Sequence, residues 1–113
     1  VHTAVAAEPL SLALKAGIDG KLFLEICAGS SASSWMQSDR GASMLETDPP
    51  VTSTVDIFVK DLAIVMEAGR TLRAVLPLAA AAHQMFVGAS GHGHGLADYG
   101  QIIRAYRDLS GEN

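Results

Sequence analysis

Apolar residues return along most of this chain at intervals of three and four, the period of an α-helix. The clearest run opens at Val55 and reaches Arg73. Within it Phe58, Leu62, Val65, Gly69 and Leu72 fall at i, i+4, i+7, i+11 and i+14, which predicts one buried side. At about 100° per residue Lys60 lies about 200° round from Phe58, so it points away from that side, and Asp61 stands at the edge. Pro49-Pro50 forbids helix just upstream. Ser53 followed by Asp56 three residues on resembles a capping box and predicts the start.

The same reading places a helix over Val1 to Lys15, where Val5, Leu10, Leu12, Ala13 and Leu14 form a broad apolar surface and Pro9 predicts either a kink or a start near Glu8. Gly17 stops it, and Asp19 caps a short second helix from Lys21 to Cys27. Ala28 to Ser34 is a Gly/Ser loop, read as a connector ending in a serine cap or as a ligand loop. Trp35 opens a third helix reaching about Leu45. Pro77 suits the first position of a helix over Leu78 to about Val87, with Leu78, Ala82 and Met85 inward and Phe86 beside them. Gly88 to Gly95 is a glycine-rich turn, and Asp98 caps a last helix, Tyr99 to Leu109. Val51 to Val55 is the one β-branched run and is too short for a convincing strand. The expected fold is therefore all-α, with five to six helices in one domain.

Composition narrows the partners. The chain has 113 residues, 49% of them apolar, and a net charge of −4 with signs interspersed. No basic stripe is present, so nucleic acid is not an expected partner. No apolar run approaches the ~20 residues of a membrane span. Cys27 is the single cysteine; it reads as a buried, inert thiol and favours a cytoplasmic setting. His92 and His94 form an H-x-H pair without a convincing third ligand, so no metal is expected. Glycine fingerprint, Walker loop, nucleophile elbow and C-x-x-C pair are all missing from the sequence. Lys60 lies near the positive end of its helix dipole. An anionic ligand there or a neighbouring acid such as Asp56 would each account for it. The chain opens in helical pattern without an initiator methionine, as a piece of a longer protein or a mature fragment would.

The order of landmarks carries more than any one of them. Glu8-x-x-x-Leu12-Ala13-x-Lys15-Ala16-Gly17-Ile18-Asp19, the serine loop, Phe58-Val59-Lys60-Asp61-Leu62, Leu76-Pro77-Leu78 and Gly93-x-Gly95-x-x-Asp98 together resemble the helical C-terminal domain of the β-hydroxyacid dehydrogenases, the 3-hydroxyisobutyrate dehydrogenase group. Ser34-Trp35-Met36, Val55 to Leu62, Leu76 to Ala79 and Met85-Phe86 are closer still to the L-threonate dehydrogenase branch. The resemblance implies a fold like the C-terminal domain of 6-phosphogluconate dehydrogenase, spanning residues 1–113. It also implies an N-terminal Rossmann domain that this chain does not carry. That domain would hold most of the NAD or NADP, and the catalytic lysine would sit at the junction, so no catalytic residue is expected here and the chain alone should be inactive. The resemblance further implies a cofactor role for Lys60, a substrate-pocket role for Asp61, and a small hydroxy acid as substrate. Many relatives carry Phe seven positions before the motif lysine. Here Ser53 stands there, and its hydroxyl suits a polyhydroxylated acid. The exposed alanine-rich first helix implies a homodimer or higher homo-oligomer. The competing expectation is a stand-alone helical dimerisation module without catalysis, which would have a start codon close to Val1.

Overall fold

The computed structural model describes residues 1–112. Six α-helices follow one another: α1 (His2–Lys15), α2 (Gly20–Ala28), α3 (Trp35–Met44), α4 (Val55–Leu72), α5 (Pro77–Ala89) and α6 (Ile103–Leu109). Between α5 and α6 the chain makes a π-helical turn (Ser90–His94) and a 3₁₀ turn (Tyr99–Ile102) that leads straight into α6.

The simple five- to six-helix bundle needs correction at that point. Residues 90–102 are a folded wedge under the start of α4, containing an antiparallel bridge between Thr54 and Asp98. The physical cause is glycine: Gly93 sits at φ 97°, a conformation that ends regular helix and that side-chain-bearing residues avoid.

α1 lies at the centre of the domain, against α2, α3, α6 and the 3₁₀ turn. Ala4, Ala6, Ala7, Leu10 and Ala13 are buried, and their small side chains permit close approach. Val5 and Leu12, expected inward, face out at 59% and 71% exposure. The helix runs on through Pro9, whose lost hydrogen bond falls on the exposed side where water can replace it.

α4 and α5 form a hairpin. The buried face of α4 is Val55, Phe58, Val59, Leu62, Met66 and Gly69; Val65 and Leu72 are exposed. Both 65 and 66 are one helical turn beyond Leu62, and Met66 is the one that meets α5's side of the core. At Gly69 the chain folds back so that Leu76 occupies the space a Cβ would need. Arg73 ends the helix in the left-handed region at φ 56°, and the Ala74 amide donates to the Gly69 carbonyl at 2.9 Å. Along α5 the inward residues are Ala79, Ala82, Phe86 and Ala89; Leu78 is exposed. Phe86 is fully buried and meets Phe58 edge-on at 5.4 Å between ring centres, and Phe58 meets Tyr99 at 4.6 Å. Three aromatic rings thus lock α4 to α5 and to the 3₁₀ turn. Cys27 is half-buried rather than buried, and Trp35 is largely exposed to solvent.

Candidate functional site

The start of α4 is built from two segments. The incoming chain, Thr52-Ser53-Thr54, lies along the turn Gly95–Tyr99. The Val55 amide donates to the Ala97 carbonyl and the Asp56 amide to the Gly95 carbonyl, each at 3.0 Å. The Ile57 amide donates to the Thr54 hydroxyl at 3.2 Å, so Thr54 is the N-cap and Ser53 precedes it. The amides of Val55, Asp56 and Ile57 thus have partners within the chain and are not open to an anion at this helix end. Asp56 does not act as a capping-box acid. It accepts from the Ser90 hydroxyl at 2.6 Å and packs against Gly95.

Asp98 is the hub under this corner. Its side chain is fully buried, and its Oδ1 accepts from the Thr52 amide at 2.8 Å and the Thr52 hydroxyl at 2.9 Å. Oδ2 accepts from the Gly100 amide at 3.2 Å and from Arg40 at 3.4 Å. Burial pushes the carboxyl up, but the Thr52 and Gly100 donors and the Arg40 charge outweigh it and hold Asp98 below the usual carboxylate range. Arg40 is held more basic than usual: burial opposes its charge, while the Asp39 hydrogen bond and the charges of Asp98 and Asp39 prevail. Its guanidinium also lies 5.7 Å from the centre of the Tyr99 ring. Residue patterning identified Asp98 only as a cap for the next helix. The partnership with Arg40 and Thr52 joins residues 58 and 46 positions apart, beyond the reach of local pattern.

Of the residues singled out in the sequence, Lys60 lies in the second turn of α4 on the solvent side. Its Nζ is 3.4 Å from Asp61 Oδ1, and the two side chains are 67% and 51% exposed. Its partner is thus Asp61, not Asp56. Ser53 is half-buried, and its carbonyl accepts from the Tyr99 amide at 2.8 Å. Ser53 precedes α4 and Lys60 lies in its second turn, and no hydrogen bond joins the two side chains among the described residues.

A sizeable cleft lies elsewhere. It holds about 560 Å³ between the end of α3, the π turn and α6, and its polar walls include Glu46, His92, His94, Arg104, Arg107 and Asp108. Most of those groups have partners inside the cleft. Arg104 donates to Gln101 Oε1 at 2.8 Å and to the Thr47 carbonyl, Arg107 pairs with Glu112 at 2.9 Å, and His92 lies 3.6 Å from Asp108. His94 is held below its ordinary value by burial, then by the Arg104 and His92 charges, against the pull of Asp108. Among the described residues, no three metal-ligating side chains gather at one point. Most of the cleft's charges are paired within it, although Arg107 Nε and Glu112 Oε2 are buried there without a hydrogen-bond partner; the Lys60–Asp61 pair is a separate and more exposed charged couple.

Comparison with known proteins gives the family. Residues 1–106 match the family described as the NAD-binding region of NADP-dependent 3-hydroxyisobutyrate dehydrogenase. The L-threonate dehydrogenase of Cupriavidus necator is 42% identical over 106 residues, which cover 94% of this chain and 36% of that protein. The L-threonate dehydrogenase of Escherichia coli K12 is 36% identical over 97% of this chain and 36% of its own length. The crystal structure of 3-hydroxyisobutyrate dehydrogenase from Salmonella typhimurium superposes with a TM-score of 0.88 at 39% identity, covering 91% of this chain and 36% of that one. The chain therefore spans about a third of the length of these relatives. The family description also corrects the fold expectation. It assigns NAD binding to this very region, whereas the 6-phosphogluconate dehydrogenase C-terminal label left that task mainly to a missing Rossmann domain. Among the described residues the region is helical with a single bridge, and no nucleotide-binding sheet is present. This chain belongs to the NAD-binding 3-hydroxyisobutyrate dehydrogenase family, a family of NAD(P)-dependent dehydrogenases.

Proposed function

We propose that this chain is the C-terminal helical region of a dehydrogenase that oxidises a small hydroxy or sugar acid, L-threonate by preference, and that it supplies one wall of the cleft between itself and an N-terminal Rossmann domain. The observation that carries the reading is the Lys60–Asp61 pair, exposed at 67% and 51% on the open side of α4. The residues fit the cofactor in a limited way. One ammonium suits one anionic or ribose-hydroxyl contact, and no cluster of cations is there to hold a whole pyrophosphate. NAD or NADP, when bound, supplies the acceptor for the hydride leaving the substrate's hydroxyl carbon. Lys60 binds and orients that cofactor from the α4 side, and Asp61 restrains the lysine and borders the substrate. The Ser53 hydroxyl, which has no hydrogen-bond partner within the described residues, is available to a substrate hydroxyl. Proton abstraction belongs to a residue outside this chain, so the chain by itself is inactive.

Assembly into a homodimer or higher oligomer goes with this reading. Val1, Val5 and Leu12 line one exposed side of α1, and Leu22 and Ile26 of α2 are exposed as well. A cytoplasmic setting suits the lone thiol of Cys27. No helix of the described residues is long and apolar enough to cross a membrane. The test is turnover by the full-length protein that contains these residues. Formation of NADH or NADPH with L-threonate, in excess of that with 3-hydroxyisobutyrate, is expected. Absence of both turnover and cofactor binding refutes the proposal.

A further inference from the structure

We infer that Asp98 is a positioning residue for the substrate end of the proposed site, acting through Thr52 on Ser53. The inference rests on the reading of Ser53 and Lys60 given above. The two ends of that site are held by different means. Lys60 rides on α4, which is fixed by the packing of Phe58, Val59 and Leu62 and by the aromatic contacts of Phe58 with Phe86 and Tyr99. Ser53 lies before the helix begins and is not a member of the hydrophobic cluster. Three hydrogen bonds bracket it. The amide and hydroxyl of Thr52 both donate to Asp98 Oδ1, and the Tyr99 amide, next to Asp98 in the chain, donates to Ser53's own carbonyl.

Asp98 is a costly way to hold a loop. Its side chain is fully buried, with an arginine whose side chain is only 16% exposed as its counter-charge. A buried ion pair of this kind gives little net stability over an apolar replacement, whereas it fixes geometry, because each oxygen has two defined donors. Thr52 itself is exposed, so the carboxylate reaches out from the core to seize a surface residue. Such an arrangement sets the place of residue 53 without bearing on the interior of α4. Loosening Asp98 should therefore disturb the hydroxy acid and spare the cofactor.

The experiment uses the full-length protein, with L-threonate as substrate and NADH or NADPH as the cofactor probe. Asp98→Asn keeps the shape but removes the charge and half the acceptor capacity. It is expected to raise the KM for L-threonate about tenfold, the size of one lost charge-assisted hydrogen bond at its low end, while cofactor Kd stays within about twofold. Thr52→Val lies at the surface and removes one donor only. It keeps the test alive if Asp98→Asn does not fold, and it should raise KM in the same direction by less. Thr52→Ser retains both donors and should behave as wild type. Ser53→Ala and Lys60→Ala are measured alongside. If Ser53→Ala moves KM and Lys60→Ala moves Kd, but Asp98→Asn and Thr52→Val move neither, the positioning role is overturned and the site reading stands. A parallel rise of KM and Kd in Asp98→Asn and Thr52→Val also overturns it, since that marks general loosening. Silence of both Ser53→Ala and Lys60→Ala overturns the site reading and the inference with it.

Discussion

Gly95 offers a sharp test of how the α4 corner is built. Its backbone, at φ −59° and ψ −33°, is in the ordinary right-handed region, so no dihedral demands glycine there. What demands it is Asp56. A Cβ on residue 95 would meet Asp56 Oδ2 at 2.5 Å, Oδ1 at 2.7 Å and Cγ at 2.8 Å. In Gly95→Ala the carboxylate must swing aside and give up the Ser90 hydroxyl. A charge-assisted hydrogen bond contributes about 1.5–3 kcal/mol, and an acid in the first turn of a helix about 0.3–1 kcal/mol more. Exposure of the pair argues for the lower ends. Against this, alanine restricts the unfolded chain and returns about 0.4–1 kcal/mol. The net expectation is a destabilisation of about 1 kcal/mol, or a melting temperature lower by about 4 °C. In an Asp56→Ala background the obstacle is gone, and the same substitution should stabilise by about 0.4–1 kcal/mol. Urea unfolding of the four proteins, followed by far-UV circular dichroism, reads the reversal of sign directly. If Gly95→Ala costs the same with and without Asp56, or stabilises the wild-type background, the carboxylate is not what keeps glycine at this position.

Two further predictions concern acid and substrate choice. Because Asp98 is more acidic folded than its ordinary 3.8, the unfolded chain binds more protons around that value. The stabilisation is full above pH 3.8 and is lost as pH falls through the lowered folded value. Urea midpoints should drop on acidification below about pH 4 in wild type and drop less in Asp98→Asn; equal drops would contradict the assignment. His94, depressed from 6.5, has the same sign and should add a loss that begins as pH falls from 6.5. In the full-length protein, Ser53→Phe should move the ratio of kcat/KM for L-threonate over 3-hydroxyisobutyrate towards the latter by about tenfold, and an unchanged ratio would end the role given to the Ser53 hydroxyl.

The helices were readable from local signals because they are local objects. Pro49-Pro50, Pro77, Asp19 and Ser34 are punctuation whose effect does not depend on distant residues: Asp19 accepts from the Leu22 amide and Ser34 from the Gln37 amide. Which face of each helix turns inward was read less well. Val65 against Met66, and Leu78 against Ala79, are choices between positions one turn from the same anchor, Leu62 or Ala82, and the neighbouring helix decides between them. The cap of α4 was misplaced by one residue, from Thr54 to Ser53, because adjacent hydroxyl residues carry the same propensity and only the bridge to Asp98 separates them. The Asp98–Arg40–Thr52 hub was illegible for a related reason. It joins three segments, and no periodicity records a contact between a loop, a helix and a turn. Gly93-x-Gly95-x-x-Asp98 marked the place, and its physical content is a turn that seats one helix start and buries one charge.

Binding of NADH and NADPH to the full-length protein, with and without Lys60→Ala, tests the central claim most directly. Fluorescence titration in low and moderate salt should show affinity about tenfold weaker in the variant, with Lys60→Arg recovering part of it and wild-type affinity falling as salt rises. Equal affinity for wild type and Lys60→Ala at both salt concentrations would mean that the exposed ammonium of α4 does not meet the cofactor, and the function proposed for this surface would be wrong.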